Sequence, residues 1–97
     1  MINTFIYLMN AYFYQSWWAE YSDTKVNDAD VIIHFASKEN LETLNSLVQD
    51  LEYIIENNLA KTTFEANSFD FNPLLYGYSS EQVWVESAYK ILIAKIR

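Results

Sequence analysis

Cysteine is absent, so neither a disulfide nor a thiolate metal site is available to this chain, which fits a reducing compartment. Glycine and proline occur once each, too few for the turns of an all-β domain or for a glycine-rich phosphate loop. Bases are scarce: six lysines and arginines face thirteen acids, for a formal charge of −7. A surface of that sign repels phosphate, which argues against nucleic acid and the membrane surface as partners and favours basic proteins. His34 is the only histidine. A zinc site needs three or four ligands, and no serine sits in a nucleophile motif. Asp28 and Asp30 lack the later ligands and the turn glycine of a calcium loop. No apolar run approaches the roughly 20 residues of a membrane span, and no basic n-region precedes an apolar one. The expectation is a cytoplasmic protein that is not an enzyme, with no catalytic residues, no cofactor and no metal.

What is present is core material. Of 97 residues, 52% are hydrophobic and 18% aromatic, enough for one domain over 1–97 that folds without staples. The clearest element lies at 41–59. Leu41, Leu44, Leu47, Val48, Leu51, Ile54 and Ile55 recur at threes and fours, with Glu42, Asn45, Gln49, Glu52 and Glu56 on the other side. Asn40 is a good N-cap, and Asn57-Asn58 tolerate the left-handed turn that ends a helix.

The other segments read the same way. Residues 3–14 put Phe5, Leu8, Met9, Tyr12 and Phe13 on one helical face, with Asn3 or Thr4 as cap. Of Trp17 and Trp18, one closes the core and the other, about 100° round a helix, is more exposed; an equal reading places both in the core. Asn27 to Asp30 form an acidic helix start, and Val31, Ile32, Phe35 and Ala36 a buried face. The β-branched run Val31-Ile32-Ile33 leaves a strand as the alternative, but no partner strand is evident. His34 lies within reach of Asp30 on that helix. This is either a general base with its acid or, the preferred reading, a partly exposed surface histidine. Residues 60–66 add a turn or two of helix. Residues 67–78 are irregular, with turns at Asn72-Pro73 and Gly77 and a crowd of Phe69, Phe71, Tyr76 and Tyr78 around Asp70. Ser79 with Gln82 is a capping-box pattern opening the last helix. Val83, Trp84, Ala88, Ile91, Leu92 and Ile96 can face the core, while Val85, Tyr89 and Ile93 make it apolar on more than one side. It is therefore central, or it meets a partner. The predicted fold is all-α, a compact single-domain bundle of about four to six helices.

Tyr12-Phe13-Tyr14-Gln15-Ser16-Trp17 resembles the YF-x-Q-D-W segment near the start of the helical immunity proteins of bacterial contact-dependent growth inhibition (CDI) systems. The likeness continues in order through an acidic stretch, the 31–36 helix, the Leu-rich helix, Phe71-Asn72-Pro73, Gly77-Tyr78-Ser79 and Trp84, and so covers most of the chain. Ser16 departs from the family's Asp, and Trp18 stands where an acid is common. The resemblance implies that Tyr12, Phe13, Trp17 and Trp84 are core. It implies as partner the C-terminal toxin domain of a cognate effector, in many cases a nuclease with a basic active-site cleft. The charge of −7 agrees with such a partner.

The expected function is therefore an immunity protein, monomeric when free, that binds and neutralises a nuclease toxin. Its expected toxin-binding residues are Trp18, Glu20, Asp23, Asp70, Tyr76 and Tyr78, which combine acid with rings in connections rather than on helix stripes. The alternative is a small acidic helical adaptor or assembly subunit that pairs through its apolar last helix.

Overall fold

The computed structural model describes residues 2–14 and 27–97. Trp17, Trp18, Glu20 and Asp23 lie outside those residues. The described residues form the α-helices α1 (Asn3–Ala11), α2 (Asp28–Lys38), α3 (Leu41–Glu56), α4 (Ala60–Asn67) and α5 (Glu81–Ile96). A 3₁₀ turn, Pro73–Tyr76, precedes the last of them, and there is no strand among the described residues. The all-α expectation holds, and Val31-Ile32-Ile33 is helical: Val31 and Ile32 are buried, where tertiary packing outweighs β-branched preference.

The caps explain where the helices start and stop. Asn27 and Asp30 form a full capping box on α2: Asn27 Oδ1 accepts from the Asp30 amide at 3.0 Å, and Asp30 Oδ2 from the Asn27 amide at 3.1 Å. Asn40 caps α3 through the Thr43 amide at 2.8 Å, as expected. The other end of α3 is a Schellman motif with Asn58 at φ +54°. Asn58 N–H reaches Ile55 O at 3.3 Å, and Leu59 N–H reaches Ile54 O at 3.0 Å.

Two caps differ from expectation. The last helix is capped by Ser80, whose Oγ accepts from the Val83 amide at 3.1 Å, one residue beyond Ser79. Gln82 is then at the second helical position, and its amide donates instead to the Ile55 carbonyl at 3.3 Å. Ser80→Ala should cost about 1 kcal/mol in denaturant unfolding, whereas Ser79→Ala should change nothing. At α1 neither Asn3 nor Thr4 is the cap. The N-cap position is Ile2, which has no polar side chain, and the Phe5 amide is held at 2.9 Å by Asp50 Oδ2 of α3. This helix also ends at Ala11, three residues short of the expected 14.

The hub of the core is α5 rather than α3. It packs against α2, α3, α4 and the 3₁₀ turn, while α1 packs on α3. Trp84, Val85, Ala88 and Leu92 are buried on it, together with Phe5, Leu8, Met9, Phe13, Val31, Ile32, Phe35, Leu44, Leu47, Val48, Leu51, Ile54 and Phe71 from the rest of the chain. Phe13 and Trp84 are core as the resemblance implied, and Tyr12 is half-buried. Two residues assigned to apolar faces stay outside: Leu41 at the first turn of α3 is 64% exposed, and Val83 at the start of α5 is 42% exposed. Both sit in the first turn of their helix.

Rings dominate the centre. Trp84 stands edge-on to Phe13 (5.5 Å between centroids) and Phe64 (6.0 Å), and lies 5.0 Å from Phe71. Such contacts add about 0.5–1.5 kcal/mol per pair beyond area burial.

Candidate functional site

The connection between α4 and α5 is where sequence-predicted site residues and exposed apolar residues coincide. Its path is set by three local devices. Ser68 adopts a left-handed conformation (φ +48°) at the end of α4 and turns the chain back. Phe69 and Phe71 then insert rings: Phe69 stands edge-on to Phe5 at 6.0 Å and to Phe64 at 5.3 Å, and Phe71 lies 4.7 Å from Phe13. Asn72 caps the 3₁₀ turn through the Leu74 amide at 3.1 Å, with Pro73 at its first position. Gly77, at φ +92°, closes the turn in a conformation costly for any side chain.

The result is a rigidly seated turn with an apolar exterior. Leu74 is 47% exposed, Leu75 78% and Tyr76 46%, three consecutive residues and the densest such run among the described ones. The Tyr76 ring stacks on Phe71 at 5.2 Å and 26°, so it rests on the core through one ring while showing its other side to solvent. Asp70 is exposed on the same connection. Beside the turn is an open cleft of about 200 Å³, lined by Phe64, Phe69, Phe71 and Leu74 together with Glu65, Ser68, Asn72 and Glu81.

Of the described site residues expected from sequence, Asp70 and Tyr76 are both exposed on this connection. Tyr78 differs. It is half-buried, and its hydroxyl donates at 2.7 Å to Asp28 Oδ2, which also accepts from the Trp84 indole N–H at 2.8 Å. Burial, followed by the Asp28 bond, raises the Tyr78 phenol above its ordinary value, so it stays a donor at neutral pH. Leu74 and Leu75 were missed by the sequence reading. Their signal is two adjacent leucines after the only proline: on a four-residue turn both cannot reach the core.

The other polar clusters are structural. Tyr7 and Tyr12 both donate to Glu39 Oε2, at 2.8 and 2.5 Å, tying α1 to the α2–α3 junction. Burial and that carboxylate hold the Tyr12 phenol well above its ordinary value. Tyr89 donates to Glu52 Oε2 at 2.7 Å, joining α5 to α3. His34 lies 5.9 Å from the Tyr12 ring, and Asp30 Oδ2 accepts in the capping box rather than standing as a dedicated acid partner. No group of three or more potential metal ligands occurs among the described residues, and no helix there is long and apolar enough to cross a membrane.

The described residues thus form a helical scaffold with exposed apolar residues and Asp70 on one connection. The family model described as CdiI immunity protein matches residues 2–90, and the chain belongs to that family, the toxin-neutralising immunity proteins of CDI systems. Searches of curated proteins and of solved structures each returned no match.

Proposed function

We propose that this protein binds the C-terminal toxin domain of a cognate CDI effector in the cytoplasm and neutralises it, that the toxin is a nuclease with a basic cleft, and that the Asp70, Leu74, Leu75 and Tyr76 face makes the contact. The observation that carries the reading is the family match over residues 2–90. The charge of −7 supports a basic partner, since opposite fields speed encounter, and the exposed Leu and Tyr supply the desolvated anchors that dominate affinity. Trp18, Glu20 and Asp23 belong to the same proposal from sequence. Tyr78 is assigned the supporting role of a strut beneath the turn. On this reading the protein is not an enzyme and acts as a monomer that blocks the toxin by charge and sterics.

The packing of α5 weighs against the adaptor alternative. This helix lies against α2, α3, α4 and the 3₁₀ turn, with Trp84, Val85, Ala88 and Leu92 buried, Tyr89, Ile91, Ile93 and Ile96 half-buried and Val83 exposed.

The test is co-expression with the C-terminal region of the effector encoded immediately upstream, reading complex formation and rescue of growth. Leu75→Glu should raise the toxin Kd by about 10-fold or more, a loss of about 1.4 kcal/mol, while the unfolding midpoint stays where it was. Asp70→Lys should slow association and flatten its salt dependence. Unchanged affinity in both variants would remove this face from the interface.

A further inference from the structure

We infer that the cleft between α4 and the 3₁₀ turn is a receptor for one arginine side chain, and, resting on the function proposed above, that the arginine belongs to the toxin domain. Size is the first argument. The space of about 200 Å³ is below the roughly 300 Å³ at which pockets for cofactors and drug-sized ligands begin, and it suits a single long side chain.

The lining is the second argument. Phe64, Phe69, Phe71 and Leu74 supply the apolar lining, Ser68 and Asn72 polar lining, Glu65 and Glu81 two acidic side chains, and no basic residue lines the space. Aromatic and acidic side chains lining one small space suit a planar guanidinium on an aliphatic stem: the stem packs on rings, and the N–H groups can meet carboxylate oxygens. An acidic ligand would be repelled, and a purely apolar one would strip water from two carboxylates without returning a hydrogen bond.

The walls are also preorganised. Phe64 and Phe69 stand edge-on at 5.3 Å and 89°, both pack on Phe5, and Phe71 lies against Trp84 at 5.0 Å. Rings already fixed by the core lose little freedom when a side chain enters. The cleft adjoins the exposed Leu75 and Tyr76, so an arginine seated there is next to the apolar anchors rather than on an isolated patch.

The free protein tests the cleft without any toxin. N-acetyl-arginine amide titrated into it should give saturable NMR shifts confined to the Phe64, Phe69 and Phe71 rings and the Glu65 and Glu81 side chains. N-acetyl-citrulline amide, the neutral isostere, should give none. The shifts should vanish in the Glu65→Gln/Glu81→Gln double variant and weaken in Glu65→Gln alone, a change at an exposed position of α4. With the toxin domain, the double variant should bind about 10- to 100-fold more weakly, beyond the small loss of thermal stability from neutralising Glu81 in the first turn of α5. Equal shifts from citrulline, or no saturation, would overturn the arginine receptor whatever the toxin does. Saturable arginine binding by a protein that fails to bind the toxin would leave the receptor standing and overturn both the toxin as occupant and the function proposed above. Toxin binding that is intact in the double variant would overturn the occupant alone.

Discussion

Asp28→Ala should cost about 3–4 kcal/mol of folding stability, measured by denaturant unfolding, well beyond the loss of the Ser80 cap on α5. Asp28 is at the first position of α2 and only 7% exposed. One of its oxygens, Oδ2, accepts from the Tyr78 hydroxyl at 2.7 Å and from the Trp84 indole at 2.8 Å. Hydrogen bonds to a charged group are worth about 1.5–3 kcal/mol each, and the loss is greater where donors are left buried without a partner. Trp84 is 1% exposed and cannot turn its N–H to water. Asp28→Asn separates charge from geometry: its carbonyl oxygen can still accept both bonds, so the cost should fall to about 1 kcal/mol. A cost for Asp28→Ala below that of Asp28→Asn would show that the two bonds do not hold α2 to Tyr78 and α5.

This variant also probes how the proposed contact face is supported. The chain of contact runs from Asp28 through Trp84 to Phe71, and from Phe71 to Tyr76. Tyr78, the other donor to Asp28, follows Gly77 at the end of the same turn. Loosening Asp28 should therefore weaken toxin binding together with stability, whereas Leu75→Glu should weaken binding alone. The pair of variants distinguishes a residue that positions the face from one that forms it.

Local patterns in the chain carry local structure well. The threes and fours of α3, its Asn40 cap and the Asn57-Asn58 stop all reappear in the fold, because each depends on residues within one or two turns. The primacy of α5 is written more faintly, in Val85, Tyr89 and Ile93, which break a one-sided stripe. Val85 is wholly buried and the other two are half-buried because helices pack around α5 on several sides. The capping error at Ser79 is one residue wide: two adjacent serines are equivalent caps on paper, and the path of the chain from Gly77 chooses between them.

What the sequence could not show is pairing at long range. Asp28 meets Tyr78 and Trp84 across 50 and 56 residues, and Asp50 meets Phe5 across 45. Read locally, Asp28 is an acid suited to a helix dipole, which conceals its second use. The same holds for the proposed contact face. Asp70 and Tyr76 stood out by composition, but Tyr78 did too, and only the position of Asp28 turns its hydroxyl inward.

Asp50 left one readable sign. It falls three residues after Leu47 and four before Ile54, an acid on the buried side of α3. Its role yields the second large prediction: Asp50→Ala should cost about 2–3 kcal/mol. Asp50 is 7% exposed, and its carboxylate accepts from the Phe5 amide at 2.9 Å. It thus caps a helix whose own N-cap residue, Ile2, cannot. A lost cap costs about 0.5–2 kcal/mol, and an amide left buried and unpaired adds to it.

The pH dependence shows which force governs this group. Burial raises the Asp50 carboxyl above its ordinary 3.8, against the lowering pull of the Phe5 and Thr4 amides. Between 3.8 and that raised value the folded chain holds a proton that the unfolded chain has released. The unfolded state then binds fewer protons, so the stability due to this group falls as pH rises through that window and is flat on either side. The wild type should accordingly exceed Asp50→Ala by more in acid, near the lower end of the window, than at neutral pH. Denaturant unfolding of both proteins across that range reads the difference directly. A gap that instead widens toward neutral pH would mean that the two amides outweigh burial, and that α1 is held to α3 by a carboxylate stabilised in its charged form.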